Sequence, residues 1–290
     1  MVEVWTVKKI LNWTKSYLKK YGIENPRIDA EYFLSEILDT SRMGVYLNFD
    51  RPLSSEELDS YKELIKRRKD KEPIQYIINK ASFMGFEFFV KKGCFIPRFS
   101  TEKLVEVVLD HVKEINKSKI NILEIGGGSG AISISIAKLN KKTNFDVYES
   151  EKIPIEVMKR NIKDFELEDR IKVIENDYFK DKIKCSYDFV ISNPPYIGRE
   201  EKKDLDAEVR EYEPEKSLYA GNKGFDFYKR FVKSMKLFNE DTLFFFEIGY
   251  NQKKDVKNIF ENEGYNTNIY KDLDKKDRII KIYKRGEKDE

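Results

Sequence analysis

The chain has 290 residues, of which 40% are hydrophobic and 37% are charged. The length predicts two domains, and the apolar fraction is sufficient for a hydrophobic core. The formal net charge is only +3, which disfavours a general nucleic-acid-binding protein, since such proteins are usually strongly basic. We interpret the basic run at residues 66–69, "KRRK", as a solvated helix face.

Cysteine and histidine are too few for most metal and disulfide chemistry. Cys94 and Cys185 are far apart, which disfavours a disulfide framework or a zinc cluster and fits a reducing compartment. His111 is the only histidine and lies in a helical pattern, where we expect a packing role. The N-terminal residues indicate an amphipathic helix, and no run of about 18 apolar residues occurs. We therefore expect a soluble cytoplasmic protein with no metal site and no membrane partner.

Residues 1–78 are predicted to form a small helical domain. Apolar residues recur at helical spacing in "EVWTVKKILNWTKSYLKKYG", which ends at Gly22. The next segment, "PRIDAEYFLSEILD", begins with Pro26, a residue type favoured in the first turn of a helix. A third segment, "SSEELDSYKELIKRRKDK", begins with a candidate serine cap followed by acidic residues.

Residues 79–99 are predicted to form a β-hairpin linker, because aromatic residues and glycines punctuate short runs there. Beyond residue 100, apolar runs alternate with helical segments, which predicts a doubly wound, mostly parallel sheet in a domain spanning 100–290. The candidate strands are residues 121–126, 144–150, 171–176, 188–193 and 242–249. Residues 278–284 are predicted to be a final antiparallel strand at the sheet edge.

A glycine-rich loop follows the first strand of this domain, in "LEIGGGSGAISISIAKL". Gly126, Gly128 and Gly130 allow a tight turn and the close approach of a ligand to the backbone. Glu149 ends the next strand, about 20 residues on, where an acid can hold ribose hydroxyls. The pattern predicts an adenosine-containing cofactor, but the loop also fits the dinucleotide motif and does not by itself exclude NAD.

The fourth strand ends in Asn193-Pro194-Pro195-Tyr196. Pro194 and Pro195 make the peptide stiff and leave carbonyl groups without neighbouring N–H donors. The Asn193 side-chain oxygen and the Pro194 carbonyl can both accept hydrogen bonds from one planar NH₂ group, and Tyr196 offers a ring for stacking. Because ligands bind at the carboxyl ends of parallel strands, we expect this segment, Glu149 and the glycine loop to share one crevice.

The glycine-rich loop, the acid after the second strand and NPPY after the fourth resemble class I S-adenosylmethionine-dependent methyltransferases that act on planar nitrogen. Two groups share NPPY, namely the adenine or cytosine amino methyltransferases of DNA and the protein glutamine methyltransferases. The whole chain resembles the peptide chain release factor glutamine N5-methyltransferase family (PrmC/HemK). Further matches are "FMGFEFFVKKGCFIPR", "EPEKSLYAGNKGFDFYK", "EIGYNQ" and "DRIIKIY".

The resemblance implies an α/β, Rossmann-like methyltransferase domain preceded by a helical substrate-recognition bundle and a hairpin linker. It also implies a role in translation termination, with class 1 release factors as protein substrates and no direct nucleic-acid partner. We expect the chain to act as a monomer. The catalytic residues implied are Asn193, Pro194, Pro195 and Tyr196. The residues implied to bind S-adenosylmethionine are Phe95, Gly126, Gly127, Gly128, Ser129, Gly130, Glu149, Asp177, Tyr178 and Asn193, with Asp177 and Tyr178 flanking adenine.

The chain departs from the family pattern at three places. Phe99-Ser100 stands where the family usually has proline followed by an acid, and Gly127 replaces the usual threonine. Glu149 is followed by Ser150-Glu151, where the family tends to have Asp-x-Ser. These departures leave the choice of substrate less constrained than the type of reaction.

Three alternatives remain open. A ribosomal-protein glutamine methyltransferase would use the same chemistry on another protein. A nucleic-acid amino methyltransferase would need a base-flipping pocket and a phosphate-binding surface, and no target-recognition domain is recognisable. A degenerate methyltransferase fold that only binds a partner is permitted by the departures but is disfavoured by the intact NPPY segment and Glu149.

Overall fold

The computed structural model describes residues 4–181 and 186–284. Its α-helices are α1 (Val7–Lys20), α2 (Pro26–Ile37), α3 (Arg42–Leu47), α4 (Ser55–Lys69), α5 (Ile74–Ile78), α6 (Glu102–Glu114), α7 (Ala131–Leu139), α8 (Lys152–Asp164), α9 (Ala207–Tyr212), α10 (Glu215–Leu218), α11 (Asp226–Phe231) and α12 (Lys253–Glu261). Its strands are β1 (Lys80–Phe83), β2 (Phe86–Phe89), β3 (Ile120–Ile125), β4 (Thr143–Glu149), β5 (Ile171–Glu175), β6 (Phe189–Ser192), β7 (Leu243–Glu247), β8 (Tyr265–Lys271) and β9 (Asp277–Lys284).

The chain forms two compact units. The first, the helical unit, comprises Met1–Lys80 together with Asp206–Tyr212, and the second, the sheet unit, comprises Ala81–Leu205 and Glu213–Glu290. No described helix is both long and apolar enough to cross a membrane. Cys94 is buried, whereas Cys185 lies outside the described residues.

Local sequence signals account for the ends of the main helices in the helical unit. The side chain of Thr6 caps α1, and α2 begins at Pro26 as predicted. Ser54 caps α4 in a capping box with Glu57, which satisfies two otherwise unpaired backbone N–H groups. The apolar faces pack into one core, built around Phe33 and Tyr61.

The basic run at the end of α4 is not uniformly solvated, so the prediction of a solvated face is wrong for Arg68. Its side chain is buried and forms ion pairs with Asp29 at 2.6 Å and Glu208 at 2.8 Å. Burial raises the pKa of Asp29, and the charge of Arg68 opposes that rise. Arg67, which is more exposed, pairs with Glu72. A buried charge requires such partners because desolvation alone is strongly unfavourable.

The predicted hairpin is present as the two-stranded sheet β1–β2. Its turn places Met84 and Gly85 at positive φ, as a two-residue hairpin turn requires. Glu102 at the start of α6 accepts a hydrogen bond from the Met84 amide at 2.6 Å. Asn161 of α8 bonds the amide and carbonyl of Phe89 at 2.8 and 3.0 Å, so both ends of the hairpin are anchored within the sheet unit.

The sheet unit contains a seven-stranded sheet in the order β5-β4-β3-β6-β7-β9-β8. The first five of these strands are parallel, and β9 pairs antiparallel with both β7 and β8. Alternate strand residues enter different cores, with Phe245 in one and Phe244 and Phe246 in the other. Helices α6–α8 contribute to the first core, and α11 and α12 contribute to the second.

The predicted final strand is antiparallel but does not lie at the sheet edge. The strand at this edge of the sheet is β8, which was not predicted from the sequence. Residues of β8 are exposed or half-buried, so the segment "YNTNIYK" lacks the apolar run that marks the other strands. His111 packs on Phe245 and bonds the Val107 carbonyl, which agrees with the predicted packing role.

Candidate active site

The carboxyl ends of β3 and β6 lie side by side in the parallel sheet. The chain order of the strands reverses between them, which creates the switch point where open α/β sheets bind ligands. A cleft opens there within the sheet unit. The described residues that line it are Phe83, Phe95, Pro97, Thr101, Gly126, Gly127, Gly128, Ser129, Ala131, Ile132, Glu149, Ser150, Glu151, Asn193, Pro194, Pro195, Tyr196, Ile197, Lys216, Ser217 and Leu218.

The glycine loop leaves one wall of this cleft open. Gly126 and Gly128 have φ angles of +76° and +57°, and a Cβ atom added at either would meet no atom within 4 Å. The positive φ angles favour glycine, and the open space lets a ligand approach the backbone. Gly130 has the opposite environment, because its added Cβ would lie 2.9 Å from Ile134 and from Met158 in the core.

Glu149 at the end of β4 is tied to the glycine loop. Its Oε2 accepts from the amide of Gly128 at 3.0 Å, and its Oε1 accepts from the amides of Ser150 and Glu151 at 2.8 and 3.0 Å. A carboxylate offers about four accepting sites, so Oε2 retains room for a hydroxyl donor. The same side chain therefore orders the loop and presents an acceptor to the cleft.

The NPPY segment forms another wall, and its first residue is held by a single side-chain hydrogen bond. Asn193 Nδ2 donates to Thr101 Oγ1 at 3.0 Å. Among the described residues, neither Asn193 Oδ1 nor the Pro194 carbonyl accepts a hydrogen bond. Two acceptors on a stiff peptide are thus available beside the cleft, as the sequence analysis expected for binding a planar NH₂ group.

Tyr196 is held at both its ring and its backbone. Its hydroxyl donates to Glu247 Oε1 at 3.0 Å, and its carbonyl accepts from Gln252 Nε2 at 2.7 Å. Burial raises the pKa of the Tyr196 hydroxyl, and the Glu247 charge raises it further. The hydroxyl is therefore a donor at neutral pH, and the ring has a fixed position at the cleft wall.

Phe95 and Pro97, from the end of the linker segment, complete the wall near the hairpin. The Arg98 guanidinium lies 4.8 Å from the centre of the Phe95 ring and forms an ion pair with the buried Glu213. Glu213 lies just before α10, and three residues of that helix, Lys216 to Leu218, line the cleft. Lys216 pairs with Glu151 at 2.8 Å on the exposed rim.

Asp177 and Tyr178 do not line this cleft. Tyr178 is buried, with its ring edge-on to Tyr148 and its hydroxyl 3.3 Å from Ser234 Oγ. Asp177 follows β5 by two residues, and its side chain accepts from the amide of Phe179. Their predicted positions flanking adenine stay a prediction, while the described contacts give them packing and turn-forming roles.

Two buried acids near the cleft escaped the sequence analysis. Glu124 of β3, two residues before the glycine loop, is fully buried, and its carboxyl oxygens have no hydrogen-bond partner among the described residues. Burial raises the pKa of Glu124 to about 8, although Ser133 opposes the rise. Glu247 of β7 is equally buried, and burial raises its pKa as well. A charged residue inside an otherwise apolar strand was the available signal for both.

The comparisons with known proteins agree with this arrangement. A family model described as the PrmC N-terminal domain matches residues 9–78, and one described as the methyltransferase small domain matches residues 99–210. The chain is 39% identical over 271 residues to the release factor glutamine methyltransferase of Clostridium botulinum, covering 92% of this chain and 95% of the relative. It is 35% identical over 264 residues to the protein of the same name from Geobacter sulfurreducens, covering 91% of each chain.

Among solved structures, the catalytic domain of hMettl16 in complex with MAT2A 3'UTR hairpin 6 has a TM-score of 0.52. The alignment covers 81% of this chain and 84% of that chain at 17% identity. Similarity at this level concerns the fold alone.

Gly127 is packed too closely against the core to accept a side chain without a clash. A Cβ atom added there would lie 2.3 Å from Val147 Cγ1 and 2.9 Å from Met158 Cε. We expect Gly127→Ala to lower the free energy of unfolding by about 1–3 kcal/mol through overpacking, as measured by urea denaturation. In a Val147→Ala background the same change should cost under about 1 kcal/mol, because the clash is relieved. An equal cost in both backgrounds would contradict this explanation of the glycine.

Proposed function

The chain belongs to the release factor glutamine methyltransferase family, and we propose that it methylates the glutamine of the Gly-Gly-Gln loop in class 1 release factors. One methyl group passes from S-adenosylmethionine to the side-chain amide nitrogen. The observation that carries this proposal is the pair of available acceptors, Asn193 Oδ1 and the Pro194 carbonyl, in the same cleft as the glycine loop.

The residues of the cleft fit the proposed cofactor. Open space above Gly126 and Gly128 can admit its methionine portion, and the remaining acceptor capacity of Glu149 suits a ribose hydroxyl. The carboxyl of Glu124, two residues before this loop, has no hydrogen-bond partner among the described residues, and a nearby positive charge would stabilise its ionised form. When bound, S-adenosylmethionine supplies an electrophilic methyl group.

The protein contributes orientation more than acid–base chemistry. An amide nitrogen is a weak nucleophile because its lone pair is delocalised into the carbonyl. Acceptors at Asn193 and Pro194 would hold its two hydrogens, increase the electron density on nitrogen and aim it at the methyl group. The nitrogen would gain the methyl group as the methyl–sulfur bond breaks and S-adenosylhomocysteine leaves, and it would then release one proton to water, so no strong base is needed beforehand. Orientation of this kind contributes at most about 7–11 kcal/mol to lowering a barrier.

A second part of the proposal concerns the helical unit, which we propose recognises the release factor. Its support is the exposure of apolar side chains on α3, where Met43 and Leu47 are 71% and 82% exposed and one helical turn apart. Exposed apolar side chains are favourable anchors for a protein partner. The substrate loop alone would then bind less tightly than the intact release factor.

The product assignment is tested by incubating release factor, enzyme and cofactor, followed by tandem mass spectrometry of the loop peptide. We expect one added methyl group on the glutamine. Asn193→Ala should lower kcat by on the order of 10²–10³, by analogy with other oriented hydrogen-bonding groups. Asn268→Ala, at an exposed position on the edge strand β8 and outside the cleft lining, is the control and should retain activity. Methylation of adenine or of a ribosomal-protein glutamine instead would move the assignment to one of the alternatives.

Cofactor binding is tested at Glu149. Glu149→Ala should raise the S-adenosylmethionine Kd at least about tenfold, because a charged acceptor and an anchor of the glycine loop are lost together. Calorimetric titration measures this constant directly. Glu151→Ala is the matched control, since Glu151 also lines the cleft but forms an ion pair at the exposed rim. Equal Kd values for the two variants would remove Glu149 from the cofactor site.

Recognition by the helical unit is tested with the variant Met43→Gln/Leu47→Gln. We expect the KM for intact release factor to rise about tenfold, which corresponds to about 1.4 kcal/mol, and the KM for a short loop peptide to stay unchanged. Leu139→Gln in the sheet unit, at a side chain 49% exposed, is the control. A similar KM change for protein and peptide would contradict a role in recognising the whole release factor.

A further inference from the structure

The direction of the Asn193 side-chain amide decides whether the proposed function is possible. A primary amide has an accepting oxygen on one branch and a donating NH₂ on the other. If the NH₂ of Asn193 met the NH₂ of the substrate glutamine, two donors would oppose each other. In the structure Nδ2 is bonded to Thr101 Oγ1 at 3.0 Å, which leaves Oδ1 as the group available to a substrate.

Thr101 is placed for this contact and not for an ordinary helix cap. It occupies the cap position of α6, yet its side chain makes no capping hydrogen bond there. The residue is buried, and its hydroxyl is directed to Asn193 although the two residues are 92 positions apart in sequence. Thr101 ends the 3-10 turn Phe99–Thr101 and has helical φ and ψ angles of −73° and −19°, so its side chain is not in the extended geometry of a cap and its hydroxyl is available to Asn193.

Glu247 is the other buried side chain that holds this segment, and it acts at the opposite end. Its Oε1 accepts from the Tyr196 hydroxyl at 3.0 Å. At the Asn193 end, Thr101 is the one described side chain that bonds the Asn193 amide.

We propose that Thr101 is a positioning residue that fixes the direction of the Asn193 amide, so that its oxygen and not its NH₂ group meets the substrate. The inference rests on the proposed methylation of a side-chain amide. It specifies that Asn193 binds the substrate amide as a hydrogen-bond acceptor.

A pair of substitutions at Thr101 in the full-length chain separates hydroxyl chemistry from packing. Thr101→Val keeps the branched shape and removes the hydroxyl, whereas Thr101→Ser keeps the hydroxyl and removes a methyl group. We expect Thr101→Val to lower kcat at least tenfold on release factor, with the S-adenosylmethionine Kd unchanged. Thr101→Ser should stay within about threefold of the unaltered enzyme. The thermal midpoint of each variant is measured alongside.

Unchanged kcat in Thr101→Val would overturn the inference, as would equal losses in the serine and valine variants. In either case glutamine methylation by the unaltered enzyme would leave the proposed function intact. No methylation of glutamine by the unaltered enzyme would overturn both.

Discussion

The hydroxyl of Ser192 donates to the carbonyl of Ile125 at 2.7 Å, at the point where β6 and β3 end. Both strands are fully enclosed here, and their parallel pairing sets the ends at the same edge of the sheet. Gly126, the residue after β3, begins the glycine loop, and Asn193 is the residue after β6. The cleft therefore depends on this junction, because a slip of one residue would turn every side chain of a strand to the opposite face.

The burial of polar groups around the cleft lowers the folding stability of the surrounding core. Glu247 is fully buried at the end of β7, directly after three phenylalanines, where an unpaired charge is strongly unfavourable. Hydrogen bonds from Tyr196 to its carboxylate and from Tyr228 to its backbone carbonyl offset part of that cost. A fully apolar strand would favour stability, so the acid is best explained by the fixed position that it gives to Tyr196 at the cleft wall. The chemistry then needs little more than fixed acceptors and a bound methyl donor.

Apolar patterns predicted the parallel strands and the helical bundle, and the aromatic residues and glycines of residues 79–99 predicted the hairpin, since each depends on residues that are neighbours in sequence. The edge strand β8 was missed because its side chains are largely solvated. Arg68 was misjudged because its partner Glu208 is 140 residues away. At the site, the NPPY segment and Glu149 were recognisable from their spacing. Thr101 was not, because its function arises from a contact that only the folded chain creates.

The central claim is that the cleft holds a glutamine side chain by its NH₂ group. A crystal structure with S-adenosylhomocysteine and the Gly-Gly-Gln loop peptide of a release factor tests it most directly. The account predicts the glutamine Nε2 within hydrogen-bonding distance of both Asn193 Oδ1 and the Pro194 carbonyl. A glutamine bound through its carbonyl oxygen, or bound away from the NPPY segment, would contradict it.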